Sequence, residues 1–189
     1  MKKIYRNSPK HSRPNKKIIW FTGLSGSGKT TLGIKLTQYL RSHNFSTIYL
    51  DGDELRAGLS NDLSFTDASR EENIRRVAEL SKLLISQVDF VIVSTISPTN
   101  ILRNLAKEII GKKLFSLVYL STPISECMKR DPKGHYKNAN LGKIKNFTGI
   151  SSKYETPLKP DLVIDTSIIN QSTSLLKLKV WFYNGVGWR

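Results

Sequence analysis

Short apolar runs alternate with longer, more polar segments along this chain, a pattern typical of parallel α/β proteins. The apolar runs predict buried strands at 18–21, 46–50, 90–93, 114–120 and 162–164. The segments between them predict helices at 31–40, 71–87, 100–110 and 124–129. The segment 71–87 has the clearest helical spacing of apolar residues. This alternation predicts an α/β fold with a doubly wound parallel sheet, whose ligands bind at the carboxyl ends of the strands.

A glycine-rich loop at 23–30 joins the first predicted strand to the first predicted helix and has the pattern G-x-x-x-x-G-K-[ST]. In such a loop, backbone N–H groups and the positive end of the helix face phosphate oxygens. The pattern predicts that Lys29 contacts the terminal phosphates of ATP and that Thr30 binds Mg²⁺. An ordinary Gly/Ser turn is the alternative. The predicted ATP-binding residues are Gly23, Leu24, Ser25, Gly26, Ser27, Gly28, Lys29, Thr30 and Thr31.

Polar residues follow the second and third predicted strands. Asp51 and Asp53 follow the second, where a carboxylate can help to hold Mg²⁺ or accept a proton from an attacking hydroxyl. The segment 94–98 ends the third, and its hydroxyls and backbone groups can line a nucleotide pocket. Both sets lie at the edge of the sheet where the glycine loop is expected.

Four arginines, Arg56, Arg70, Arg75 and Arg76, lie between these two strand ends. Arginine binds anions through two parallel hydrogen bonds, so the set predicts a second ligand that carries phosphate. The alternative is surface pairing with glutamates at helical spacing, which we expect for one or two of the four.

Composition and charge add limits to this picture. The 189 residues predict one domain at 18–189, preceded by a flexible basic tail at 1–17 that contains no Asp or Glu. The polar segment 131–159 is too long for a simple connection and predicts a lid. The net charge of +15 lacks an accompanying aromatic and basic recognition motif, which disfavours nucleic acid as a partner.

A single cysteine, Cys127, excludes an internal disulfide and suits a reducing compartment. No apolar stretch has the length of a membrane span, and the first residues lack the apolar centre of a secretory signal. These features predict a cytoplasmic protein without a membrane partner.

The sequence resembles adenylylsulfate kinases over about 18–166. The matching segments are the glycine loop with the residues around it and 50–59, 62–66, 70–76, 96–98, 130–134 and 144–150. That family transfers the γ-phosphate of ATP to the ribose 3′-hydroxyl of adenylyl sulfate in sulfate assimilation, usually as a dimer. The resemblance implies a P-loop kinase-like fold with a lid, a phosphotransferase acting on an alcohol group, ATP and Mg²⁺ as cofactors, a nucleotide acceptor and a homodimer.

The resemblance also implies roles for individual residues. Asp53 and Lys29 are expected to be catalytic, and Arg130 to lie against the base of ATP. Phe65 and Phe147 are expected to stack on the acceptor base. Ser97 is expected to line the pocket, although some family members have been described with a phosphoserine at the matching position. The full set expected to bind the acceptor is Asp53, Arg56, Phe65, Arg70, Asn73, Ile96, Ser97, Lys133 and Phe147.

Several positions depart from the family pattern, and they cluster around the expected acceptor pocket and lid: Ser64, Ser69, Thr99, Asn100, His135 and Asn138. These departures leave two acceptors open. Adenylyl sulfate is favoured, and the alternative is cytidine diphosphoramidate, the substrate of a similar enzyme in capsular polysaccharide modification. A nucleic-acid-binding ATPase or nucleotide-dependent switch is a third hypothesis, disfavoured because no second aspartate-rich hydrolysis motif stands out.

Overall fold

The computed structural model describes residues 15–186, and a parallel sheet forms its centre. The strands are β1 (Lys17–Thr22), β2 (Thr47–Asp51), β3 (Phe90–Ser94), β4 (Phe115–Leu120) and β5 (Leu162–Ile164). They pair in the order β2-β3-β1-β4-β5, and every pair is parallel. The predicted doubly wound parallel sheet is confirmed.

Helices connect the strands and cover both faces of the sheet. Their bounds are α1 (Lys29–Ser42), α2 (Gly52–Ala57), α3 (Asp67–Ile85), α4 (Asn100–Ile110), α5 (Ile124–Arg130), α6 (His135–Asn140) and α7 (Gln171–Trp181), followed by a π-helical segment (Phe182–Val186). The pattern of apolar residues did not predict α2, α6 or α7. The first two have six residues each, too few to show a helical period.

The central strand β1 divides the core into two clusters because its side chains point alternately to opposite faces. Ile18 and Trp20 join the cluster formed with α3 and α4. Ile19 and Phe21 join the cluster formed with α1 and α7. All four side chains are fully buried, as expected for a strand covered on both faces.

Most element boundaries differ from the prediction by one or two residues, and the starts of α3 and β1 have a local explanation. Helix α3 begins four residues early, at Asp67, because the Thr66 side chain accepts a hydrogen bond from the Ser69 N–H and caps the helix. Strand β1 begins at Lys17, inside the predicted tail, and the ammonium of Lys16 donates to the carbonyl of Ser86 at 2.6 Å. Lys16 and Lys17 therefore contact the folded domain, and residues 1–14, which make up the rest of the predicted tail, lie outside the described residues.

The C-terminal segment packs against its own domain. Leu178 and Phe182 are fully buried in the cluster beside α1, and the Phe182 ring meets Phe90 edge-on at 5.0 Å. The hydroxyl groups of Tyr39 and Tyr183 lie 2.6 Å apart. This segment, which matches no clear family pattern, completes one half of the core. Within 15–186, no helix has the length and apolar character needed to cross a membrane.

Candidate active site

The glycine loop between β1 and α1 requires glycine at two positions. Gly28 has φ +99° and Gly26 has φ +75°, in the left-handed region that other residues rarely adopt. A Cβ at Gly26 would also lie 3.0 Å from the carbonyl oxygen of Cys127. No side chain of the described residues caps α1 at Gly28, so its first N–H groups are left to bind an anion.

Lys29 begins α1, and its side chain folds back over the loop. The ammonium donates to the carbonyl oxygens of Gly23 at 2.9 Å and Leu24 at 2.8 Å. Burial lowers the pKa of Lys29 to about 8, although the carboxylates of Asp53 and Asp51 act in the opposite direction. The positive charge thus lies within the loop predicted to hold phosphate.

Thr30 and Asp51 form a hydrogen-bonded pair across α1 and β2. The Thr30 hydroxyl donates to Asp51 Oδ2 at 2.9 Å, and the Asp53 N–H donates to Asp51 Oδ1 at 2.9 Å. Burial acts to raise the pKa of Asp51, but these hydrogen bonds outweigh it and hold the pKa below its usual value. An ionised carboxylate beside a hydroxyl oxygen suits a hard cation such as Mg²⁺. The sequence analysis expected Thr30 at the metal and a carboxylate from the end of this strand to help hold it, and the structure brings Asp51 beside Thr30.

Asp53 lies in the first turn of α2 and is joined to the predicted lid. Its Oδ2 accepts a hydrogen bond from the ammonium of Lys133 in an exposed ion pair. The hydrogen bond from Lys133 to Asp53 raises the pKa of that lysine. A second contact from the same segment reaches the glycine loop, since the Tyr136 hydroxyl donates to the Ser25 carbonyl at 3.0 Å. The structure therefore brings the predicted lid onto both parts of the predicted site.

Arg70 is buried and links two loops. Its Nε donates to the Phe65 carbonyl at 3.0 Å, and its Nη1 donates to Thr148 Oγ1 at 2.7 Å. Its third nitrogen donates to the Asn146 carbonyl. Because these acceptors flank or carry the two predicted stacking rings, Arg70 fixes the Phe65 loop to the loop that contains Phe147.

The two phenylalanines predicted to stack on a base differ in exposure. Phe65 is 54% exposed, and the Arg56 guanidinium lies 4.7 Å from its ring centroid. Phe147 is half-buried and meets the Tyr136 ring edge-on at 5.1 Å. Asn73, also assigned to the acceptor, is buried, and its Oδ1 has no hydrogen-bond partner among residues 15–186.

Arg75 and Arg76 instead belong to a surface ion network. Arg75 pairs with Glu72 at 2.7 Å, and Arg76 pairs with Glu72 at 2.9 Å and with Asp62 at 2.6 Å. Hydrogen bonds from both arginines lower the pKa of Glu72 to about 2. Surface pairing is therefore confirmed for two of the four arginines in the predicted anion-binding set.

Ser97 is held in a strained and buried position beside Ile96. It has φ +37° and is 1% exposed, and its hydroxyl accepts a hydrogen bond from the Trp20 indole at 3.1 Å. The Ser97 carbonyl accepts from Arg103 Nη1 at 2.8 Å, and the Ile96 carbonyl accepts from Thr22 Oγ1 at 2.6 Å. No motif of the sequence had pointed to Arg103, although a basic residue next to Leu102 on the apolar face of α4 could have suggested a buried role.

Arg130 lies on the other side of the glycine loop. Its guanidinium donates to the hydroxyl and to the carbonyl of Thr166, each at 2.7 Å, and to the Gly26 carbonyl at 3.4 Å. It therefore borders the loop from the β5 side, opposite to the strand end that carries Asp51.

Several known proteins are similar to this chain over most of its length. The family model for adenylylsulphate kinase matches residues 15–165. The adenylyl-sulfate kinase of Pseudomonas aeruginosa is 50% identical over 161 residues, which are 85% of this chain and 81% of that protein. The corresponding enzyme of Bacteroides fragilis is 48% identical over 161 residues, with 85% and 80% covered.

A solved structure of the Mycobacterium tuberculosis APS kinase CysC in complex with AMPPNP and APS matches with a TM-score of 0.83. It is 37% identical, and the match covers 90% of this chain and 99% of that one. The family model spans the glycine loop, the arginine-bearing segment and the predicted lid together. The chain belongs to the adenylylsulfate kinase family.

Proposed function

We propose that this protein transfers the γ-phosphate of ATP to the ribose 3′-hydroxyl of adenylyl sulfate. The observation that carries the proposal is the family match over 15–165, which includes both the ATP loop and the segments expected to hold the acceptor. The contacts of Lys133 with Asp53 and of Tyr136 with Ser25 add support, because they bring the acceptor-side segment onto the loop.

In this proposal the residues divide the work between charge neutralisation and proton transfer. Lys29 and the N–H groups at the start of α1 neutralise the negative charge of the phosphoryl group during its transfer. As the 3′-oxygen forms its bond to phosphorus and the bond to ADP breaks, the Asp53 carboxylate accepts the hydroxyl proton. Thr30 and Asp51 would hold Mg²⁺, which supplies further positive charge at the phosphates.

A small donor set is sufficient for that metal site. Within residues 15–186, no group of three or more His, Cys, Asp or Glu side chains is arranged to hold a metal ion. Magnesium in kinases takes most of its ligands from phosphate oxygens and water, with one or two from the protein. The Thr30 hydroxyl and the Asp51 carboxylate meet that requirement.

Two departures from the family pattern, Ser64 and Ser69, have a local structural explanation. The Ser64 and Ser69 hydroxyl groups lie 3.0 Å apart, and both interact with the Thr66 hydroxyl that caps α3. Arg56 meanwhile donates to the backbone carbonyl of Ser64, which any residue would supply. These substitutions thus stabilise the start of α3 and do not require a different acceptor.

Thr99 and Asn100 have a similar explanation. Thr99 caps α4 by accepting from the Leu102 N–H. Asn100 donates to the Glu155 carboxylate through its backbone N–H at 2.8 Å and through its side chain at 3.2 Å. Because these side chains bind protein groups, these two departures also do not require a different acceptor.

We expect kcat/KM for adenylyl sulfate to exceed that for cytidine diphosphoramidate by at least about tenfold. Stacking by Phe65 and Phe147 tolerates either base, whereas an unmatched hydrogen-bonding edge in the pocket is costly. The measurement compares both acceptors at equal ATP and Mg²⁺ with full-length protein. A tenfold preference for the cytidine compound would keep the transfer chemistry and overturn the acceptor assignment.

Ser97→Ala should retain substantial phosphoryl transfer because the Ser97 hydroxyl is buried and bound to Trp20. The substitution leaves one indole N–H unpaired and should lower the free energy of unfolding by about 1–3 kcal/mol. After incubation with labelled ATP, the wild-type protein should carry no acid-stable phosphate. Stoichiometric phosphoserine at this position that then passes to the acceptor would overturn the direct transfer.

Two finer features also belong to the proposal. A homodimer is expected from the family resemblance, and a cytoplasmic location is expected from the single cysteine, Cys127, which is buried. Sedimentation of the purified protein tests the first of these.

A further inference from the structure

Tyr49 in β2 contacts the carboxylate that binds Thr30. Its hydroxyl donates to Asp51 Oδ2 at 2.9 Å, and the same oxygen accepts from the Thr30 hydroxyl at 2.9 Å. The other carboxylate oxygen accepts from the Asp53 N–H. Donors from β2, α1 and α2 therefore hold both oxygens of Asp51, and this leaves the carboxylate little freedom to rotate.

The ring of Tyr49 occupies space that a glycine in α1 leaves open. Gly33 lies in the interior of that helix, where glycine is unfavourable relative to alanine. A Cβ at position 33 would lie 2.6 Å from Tyr49 Cε2 and 2.8 Å from Ser94 Oγ. Any larger residue at position 33 therefore requires the tyrosine ring to move. This close approach explains why glycine, a poor helix former, occupies this buried position.

We propose that Tyr49 is a positioning residue for the metal-binding pair Thr30 and Asp51, and that Gly33 is the residue that admits it. The inference rests on the proposed function, in which that pair binds the Mg²⁺ that accompanies ATP. With Asp51 fixed, the Thr30 hydroxyl keeps its hydrogen directed at the carboxylate and its oxygen lone pairs available to a cation. Groups that orient metal ligands commonly change metal affinity by about 10–100-fold.

The test measures binding, which separates it from the acceptor assay. Calorimetry with AMPPNP gives the dissociation constant in EDTA and in saturating Mg²⁺, and their ratio is the gain in affinity due to the metal. Tyr49→Phe should reduce this gain by about tenfold and leave the constant in EDTA within about twofold of wild type. A gain that persists in Tyr49→Phe overturns the role of Tyr49. A wild-type protein without any gain overturns the metal pair as well, whichever acceptor is used.

Two further variants make the test independent of one substitution. Gly33→Ala keeps the tyrosine but displaces its ring, so it should lose the same share of the metal-dependent gain despite the better helix propensity of alanine. The double variant should lose no more than either single variant, since both act on one contact. Tyr39 lies farther along α1, and its hydroxyl is hydrogen-bonded to that of Tyr183. Tyr39→Phe removes this hydroxyl and should keep the full gain. An undiminished gain in Gly33→Ala, or additive losses, would contradict the inference.

Discussion

Lys29→Ala should lower kcat/KM for phosphoryl transfer by about 10²–10³-fold or more, because it removes a fixed positive charge from the path of the transferring phosphoryl group. The fold should remain intact. Among the described residues, the ammonium donates to carbonyl oxygens of the glycine loop at 2.8 and 2.9 Å, and Lys29 belongs to neither of the two core clusters named above. Steady-state kinetics and thermal unfolding of the same preparation measure both expectations.

The pKa of Lys29 sets the sign of the effect on stability. Its folded value of about 8 lies below the ordinary value of 10.5, so folding disfavours the charged ammonium. At pH 7 the lysine is mainly protonated in the folded and the unfolded state, so burying its charge destabilises the folded state. Alanine at this position removes that cost. We therefore expect a melting temperature at least close to that of wild type.

Lys35→Ala provides a matched control, because it removes a lysine from the same helix six residues further on. It should retain activity within about twofold, as expected for a partly exposed side chain away from the phosphate loop. Normal activity in a folded Lys29→Ala protein would contradict the assignment of the loop. Loss of activity through unfolding would contradict the expected stability.

The sequence predicted the parts of the site whose signal is local. The glycine loop follows from eight consecutive residues, and the carboxylates of Asp51 and Asp53 follow from their place after an apolar strand. Surface pairing of Arg75 and Arg76 follows from glutamate at helical spacing. In each case the signal comes from residues that are close together in the sequence.

Contacts between distant segments left no such signal. Lys133 and Asp53 are 80 residues apart in the chain, and Arg70 is 78 residues from Thr148. No periodicity links these positions, so the sequence suggested which residues bind ligands without showing that they bind one another. Arg70 is the clearest example. The resemblance assigns it to the acceptor, whereas in the structure its guanidinium donates to two loops and holds them together.

Asp53 is the most informative residue of the acceptor side, because replacing its side chain should change catalysis without changing stability. Its side chain is 68% exposed, and its only ion pair in the described residues is with Lys133. Exposed pairs of this kind contribute roughly 0–1 kcal/mol to stability. Its backbone N–H, which binds Asp51, is unaffected by a change of side chain.

Asp53→Asn should therefore lower kcat by about 10²-fold or more while changing the affinity for AMPPNP little. Asparagine has the same shape but cannot accept the proton of the 3′-hydroxyl as the new bond to phosphorus forms. Glu54→Gln is the matched control, because it neutralises the neighbouring carboxylate on α2 and should keep kcat within about twofold. An unchanged kcat in Asp53→Asn would remove this residue from the catalytic set. An equal loss in nucleotide affinity would assign it to binding instead.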